Sequence, residues 1–197
     1  MDIERLKKQL AFALEIDKEK NILRQTHLTE YRRQENDAEH AWHMAIMIYL
    51  LKEYSNEEID IAKTMMMALI HDIVEIDAGD TYAYDKENLK TQKEREAKAA
   101  ERIFGLLPDE QKEEFKALFE EFEECKTPEA KFAKVMDNFQ PLLLNDSNNG
   151  RDWRNHEVKK SQVVGRQIKT KAGSEEIWKY TEKLIEDNVK KGNIKDE

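Results

Sequence analysis

A chain of 197 residues that is 39% hydrophobic can fill one core and hardly two, so a single domain over 1–197 is expected. Only six Gly and three Pro, beside abundant Leu, Ala, Glu and Lys, argue against a strand-rich sandwich, which needs turn residues about every 8–12 positions, and for an all-α fold. The net charge of −9, with Lys and Arg interspersed among Asp and Glu, excludes the electrostatic footprint of a nucleic-acid polymer, although a metal ion and one or two Arg would still suit a small phosphorylated ligand at short range.

The 3.6-residue period and the capping residues predict helices at about 3–19, 37–53, 57–76, 88–104, 109–124, 128–144, 157–170 and 175–191, a bundle of about seven to eight. Asn36 with Glu39 three residues on, Thr127 before Pro128, and Ser174 before Glu175 and Glu176 mark three of the starts. The stretches 24–35, 77–87 and 145–155 read as loops, the last a segment that could close over a site, and the tail 190–197 is expected to fray. Met1 to Lys20 alternates charge with Leu, Phe and Ile and lacks the apolar region of a secretory leader. Nowhere does the chain approach the roughly 18 apolar residues of a membrane span. Cys125, the single cysteine, sits beside Glu123 and Glu124 and reads as an inert thiol, so a cytoplasmic protein without a membrane partner is expected.

The sharpest chemical feature is His71-Asp72 near the end of the apolar run Ile61 to Ile70. Adjacent helical residues are about 100° apart, so both side chains can lean toward one ion. His40 adds an imidazole, and Asp137 adds a carboxylate from the otherwise apolar Val135-Met136-Asp137-Asn138. A carboxylate among such neighbours is costly to bury unless it is paired or holds a metal. Two imidazoles and two carboxylates suit a divalent transition metal (Mn, Co, Fe, Ni or Zn) better than Ca, with Mg kept open, and leave the set formally neutral so that a phosphate oxygen can approach. Glu75, four residues after His71 and three after Asp72, falls on the same helical face and is the candidate general acid or base. Asp80, after Gly79, is a nearby catalytic or substrate-side candidate. His43 shares the face of His40 and reads as packing or as a group orienting it. His27 and His156 read as solvated, with substrate contact as the alternative for either, Met65 to Met67 as core, and Trp153 as either a base-stacking or a packing residue.

Together His40, His71-Asp72 and Asp137 resemble the H…HD…D pattern of the HD-domain metal-dependent phosphohydrolases. The surrounding text, Arg33-Gln-Glu-Asn-Asp-Ala-Glu-His40 and Leu69-Ile-His-Asp-Ile-Val-Glu-Ile-Asp-Ala-Gly-Asp80, is similar to the branch containing bacterial 5′-deoxynucleotidases, over about residues 3–185. The resemblance implies His40, His71, Asp72 and Asp137 as metal ligands, Glu75 as the catalytic carboxylate and Asp80 as a substrate-side or water-positioning group. It also implies a compact helical domain, often a homodimer. In that branch an Arg followed by Trp precedes the first ligand. Here the segment reads Leu23-Arg24-Gln25-Thr26, which implies a phosphate role for Arg24 and leaves the choice of sugar open. Arg33, with Arg32, is a further phosphate-binding candidate. The expected activity is phosphate release from a nucleoside or deoxynucleoside 5′-monophosphate or a similar small metabolite. The alternatives are hydrolysis of an alarmone or cyclic nucleotide, or a non-enzymatic helical module with a structural metal.

Overall fold

The computed structural model describes residues 2–79 and 89–197. In chain order they form α1 (Ile3–Glu15), a 3₁₀ stretch Ile16–Asn21, β1 (Leu23–His27), β2 (Gln34–Asn36), α2 (Asp37–Leu51), α3 (Ile61–Ile70) and α4 (Glu75–Ala78). There follow α5 (Leu89–Phe104), α6 (Asp109–Glu124), α7 (Pro128–Ser147), α8 (Arg151–Asn155), α9 (Lys160–Gln167), α10 (Thr170–Gly173) and α11 (Glu175–Lys190). Helix dominates, as the scarcity of Gly and Pro requires. Among the described residues no helix is long and apolar enough to cross a membrane.

The predicted starts hold for stated reasons. Asn36 Oδ1 accepts from Glu39 N at 2.9 Å while Asn36 N donates to Glu39 Oε2 at 3.2 Å, a reciprocal cap that fixes the first turn of α2. Thr127 and Ser174 cap α7 and α11 through Ala130 N and Ile177 N.

Several expectations change. The helix expected over 57–76 begins only at Ile61, where the Asp60 side chain caps Lys63 N, and ends at Ile70. Beyond it the bonds shorten to i→i−3, Ile73 N to Ile70 O and Glu75 N to Asp72 O, so 71–74 is a tight turn leading into α4. The expected loop 24–35 contains a two-stranded antiparallel hairpin, Leu23 facing Asn36 and His27 facing Gln34, whose polar strands carry no alternating signal. The helix expected over 157–170 divides into α9 and α10, and 145–155 holds the end of α7 and the whole of α8. Trp153, in α8, is buried in the core and not poised over a site.

The tail does not fray along its length. Ile194 is 1% exposed in the main core, Asn193 Nδ2 donates to Asn188 Oδ1 at 2.7 Å, and Lys195 pairs by backbone with Val158 and Lys160. Gly150, at φ 64°, permits this, since a Cβ there would stand 2.5 Å from Asn193 Cβ.

Two apolar clusters share α3 and the turn after it. Met67 and Ala68 belong to one, with Met44, Ile48, Phe132 and Met136, whereas Ile70 and Ile73 belong to the other, with Phe12, Ile103 and Phe104. The His71-Asp72 pair therefore sits at the seam between them. Close to the seam, Glu19 of the 3₁₀ stretch is 6% exposed and its Oε1 has no hydrogen-bond partner. Burial, then the Asp72 charge, pushes its carboxyl up to about 8.

Two stability measurements follow. Ile194→Ala should lower urea-unfolding stability by about 3 kcal/mol, against no change for a tail that frays. Glu19 is protonated in the fold well above its unfolded range, so its contribution is complete near pH 4.5 and is lost as pH rises through 8. In chelator, Glu19→Gln should match the wild type near pH 5 and exceed it by on the order of 3 kcal/mol above pH 8. A gap that does not change with pH would contradict the protonated carboxyl.

Candidate metal centre

Three elements deliver the cluster: α2 carries His40, the turn after α3 carries His71 and Asp72, and α7 carries Asp137. His40, His71 and Asp72, all buried, each offer one ligand atom within 4.8 Å of the others and so form a possible metal site. Asp137 Oδ1 lies 3.3 Å from His40 Nε2 and 3.8 Å from His71 Nε2, and His71 Nε2 lies 3.1 Å from Asp72 Oδ1.

The outward nitrogens of both rings are spoken for. Because α3 stops at Ile70, the Ala68 carbonyl is one of the acceptors left over at a helix end, and His71 Nδ1 donates to it at 2.9 Å. His40 Nδ1 donates to Gln140 Oε1 at 2.9 Å. Gln140 is oriented in turn, since its amide nitrogen donates to Glu35 Oε1 at 2.6 Å and lies 3.1 Å from His43 Nδ1. A neutral imidazole carrying its proton on Nδ1 presents a lone pair on Nε2. Both Nε2 atoms therefore face carboxylate oxygens, acceptor against acceptor, and His71 Nε2 is buried without a hydrogen-bond partner. Such a set fits a divalent cation seated between nitrogen and oxygen donors, with each ring aimed by a bond to its other nitrogen.

The electrostatics of His40, Asp72 and Asp137 agree with that fit, whereas those of His71 favour a proton that a cation would displace. Burial, reinforced by Arg24, pushes His40 down to about 4, which keeps the ring neutral. Burial alone would also lower His71, but the carboxylates of Asp72 and Asp137 more than offset it and hold the ring above its usual value. Asp72 is held below the usual carboxylate range against the effect of burial, by His71 and by Arg24. Asp137 is held low in the same way, Lys134 being the largest opposing charge, with Nζ 3.2 Å from Oδ2.

Arg24, on β1, is buried in the site, and its Nη1 donates to Asp72 Oδ2 at 2.7 Å and to Asp37 Oδ1 at 3.1 Å. Glu75 lines the same cavity of about 150 Å³ as Arg24, His71, Asp72 and Asp137. It reaches that cavity from the first residue of α4 rather than from a continuous helix. Arg33 is not brought there: it is exposed, with both terminal guanidinium nitrogens on the Glu39 carboxylate at the surface. Asp80 lies outside the described residues. His27 is not solvated; it stacks on Tyr31 at 4.0 Å, with Nδ1 2.9 Å from Asp152 Oδ1.

Sequence reasoning missed Gln140, Glu35 and the further cavity residues Glu96, Glu123, Lys134 and Arg166. A signal existed for Gln140, a polar residue three positions after Asp137 on an otherwise apolar helix. The others sit on faces that read as ordinary solvated charge.

Residues 16–178 match the model of the HD domain. The chain belongs to the HD-domain family. This HD-domain chain is 46% identical to a crystal structure described as a predicted metal-dependent phosphohydrolase from Magnetospirillum magnetotacticum MS-1, with a TM-score of 0.93 over 97% of this chain and 96% of that one. An HD-domain phosphohydrolase from Listeria innocua, 18% identical, shares the fold with a TM-score of 0.59 over 92% and 85% of the two chains. The 5′-deoxynucleotidase HDDC2 of Homo sapiens is 30% identical over 57% of this chain and 53% of its own length, and that of Danio rerio 32% over 57% and 54%. The chain thus spans about half the length of these relatives.

Calorimetric titration of Mn²⁺ into chelator-stripped protein tests the centre. His71→Ala should abolish binding, and Gln140→Leu should weaken it by about 10- to 100-fold by releasing the His40 ring. Unchanged affinity in Gln140→Leu would remove the orienting role.

Proposed function

We propose that this HD-domain chain is a metal-dependent phosphomonoesterase that releases inorganic phosphate from nucleoside or deoxynucleoside 5′-monophosphates. The observation that carries the reading is the pair of Nε2 lone pairs aimed with carboxylates at one point on the wall of a cavity that also holds basic side chains. The relatives named 5′-deoxynucleotidases support the substrate class.

In this reading His40, His71, Asp72 and Asp137 hold the ion, which is Mn, Co, Fe, Ni, Zn or Mg. When bound, such an ion supplies Lewis-acid polarisation of a phosphoryl oxygen and acidifies water. Arg24 keeps Asp72 ionised and aimed, and presents positive charge to the phosphate from behind that carboxylate. As the water oxygen bonds to phosphorus and the ester oxygen leaves, Glu75 handles the proton, taking it from the water or giving it to the leaving oxygen. Asp80 is assigned to the substrate side of the same cavity on sequence grounds.

The reading extends to assembly and location. Trp42, Tyr49 and Leu50 point outward from α2 at 63%, 60% and 67% exposure, and with Ile46 they make an apolar face suited to a second copy of the chain. A lone cysteine, Cys125, is consistent with a reducing cytoplasm.

Phosphate release from a panel of ribo- and deoxyribonucleoside monophosphates, with each metal in turn, tests the activity. Wild-type release should require metal, vanish in His71→Ala, and fall by about 10²- to 10⁴-fold in Glu75→Gln. Metal binding without hydrolysis of any phosphomonoester would contradict the proposal.

A further inference from the structure

The cavity beside the metal centre is lined by three basic side chains, Arg24, Lys134 and Arg166, and they are not equivalent. Arg24 is committed to Asp72 and Asp37. Lys134 is committed to Asp137 at 3.2 Å and Glu123 at 3.9 Å, with its ammonium 3.9 Å above the Phe122 ring. Burial would depress the Lys134 ammonium, yet these two carboxylates hold it above its usual value, so its charge is already answered within the protein. Arg166 differs. Among the described residues no carboxylate lies within ion-pair distance of its guanidinium and no acceptor takes a hydrogen bond from it.

Its position is nevertheless fixed. Arg166 precedes Gln167, whose Nε2 donates to Asn138 O at 2.7 Å, and Asn138 follows Asp137 on α7. One buried hydrogen bond therefore ties the immediate neighbour of Arg166 to the immediate neighbour of a metal-centre carboxylate. Val163, one turn earlier on α9, is 2% exposed in the main core and Thr170, just beyond, is fully buried, so the end of the helix is held against α7 from both sides. The Asp137 carboxylate feels the Arg166 charge without contacting it. A guanidinium kept half-buried on a cavity wall, close to a carboxylate cluster yet paired with none of it, has its donors available for an anion brought in from outside.

We infer that Arg166 is the phosphate clamp of this cavity, a substrate-binding residue that takes two non-bridging oxygens of the phosphomonoester through its planar fork. The inference rests on the phosphomonoesterase reading for the identity of the natural ligand, but not for the binding of phosphate itself. A phosphomonoester is close to a dianion at neutral pH, whereas two imidazoles, two carboxylates and a divalent ion sum to zero. The ligand's charge needs an uncommitted partner, and a guanidinium fork matches the spacing of two phosphate oxygens where an ammonium offers only a point charge.

The test is calorimetric titration of inorganic phosphate into Mn²⁺-loaded wild type, Arg166→Ala, Arg166→Lys and Lys169→Ala, with steady-state hydrolysis of deoxyadenosine 5′-monophosphate alongside. Lys169 is an exposed cation three residues further along, which controls for bulk charge. In Arg166→Ala, phosphate affinity should fall by about tenfold or more and KM should rise in parallel, with the loss carried mainly by KM rather than kcat. Arg166→Lys should recover part of the loss and Lys169→Ala should match the wild type. Equal phosphate affinity in wild type and Arg166→Ala overturns the clamp, whether or not nucleotides are hydrolysed. So does a loss of the same size in Lys169→Ala. Phosphate binding that depends on Arg166 in a protein that hydrolyses no phosphomonoester upholds the clamp and refutes the hydrolase reading instead.

Discussion

The Nδ1 bonds of His40 and His71 are the constraint on which the rest of the site depends. By placing the proton of each ring on the outward nitrogen, the Gln140 side chain and the Ala68 carbonyl turn both Nε2 lone pairs inward, toward Asp72 and Asp137. Four electron-rich groups then converge in a buried space, an arrangement that would cost several kcal/mol per uncompensated charge. Compensation is distributed: Arg24 stands behind Asp72 and Lys134 behind Asp137, and a divalent cation held by the four groups would supply the rest. The fold can be read as the scaffold that keeps this mutually repelling set in register.

Each surrounding element has a task in that register. The hairpin, small as it is, brings Arg24 from β1 and Glu35 from just before α2 to opposite ends of one network. Arg24 fixes Asp72 directly, whereas Glu35 fixes His40 through Gln140. The early end of α3 matters as much as its presence. A helix continued through 71–74 would have drawn the Ala68 carbonyl into a backbone bond, in competition with the His71 ring for that oxygen. The tight turn also lets Ile70 and Ile73 enter the second apolar cluster while Met67 and Ala68 serve the first, so packing on both sides holds the pair at the seam.

The same cavity separates cations that hold the protein's own carboxylates from a cation that holds none. Arg24 and Lys134 keep the carboxylates ionised and aimed, which is a condition for binding a metal. Arg166 leaves its donors open, which is a condition for binding an anion. This division would let a chain with a net charge of −9 present a phosphate site, because the local balance at the cavity wall differs from the sum over the surface. It also fits the structural counterpart from Magnetospirillum magnetotacticum, which is described as a predicted metal-dependent phosphohydrolase.

By itself the sequence determined the helical class, because composition and the 3.6-residue period act locally, and it determined the starts of α2, α7 and α11, because a cap is decided within four residues. It also singled out His40, His71, Asp72 and Asp137, since polar groups interrupting apolar runs carry a desolvation cost that shows in one dimension. The tertiary structure alone decided where α3 stops, because packing against two clusters at once outweighs helical propensity at 71–74. It alone brought Gln140 and Glu35 to His40, separated Arg33 from the cavity by pairing it with Glu39, and seated Ile194 in the core. Those outcomes depend on contacts between residues as far as 105 positions apart, such as Gln140 with Glu35, which no local pattern records. The different fates of Arg24, Lys134 and Arg166 belong to the same class: three basic residues look alike in sequence, and only the position of the carboxylates around each one tells them apart.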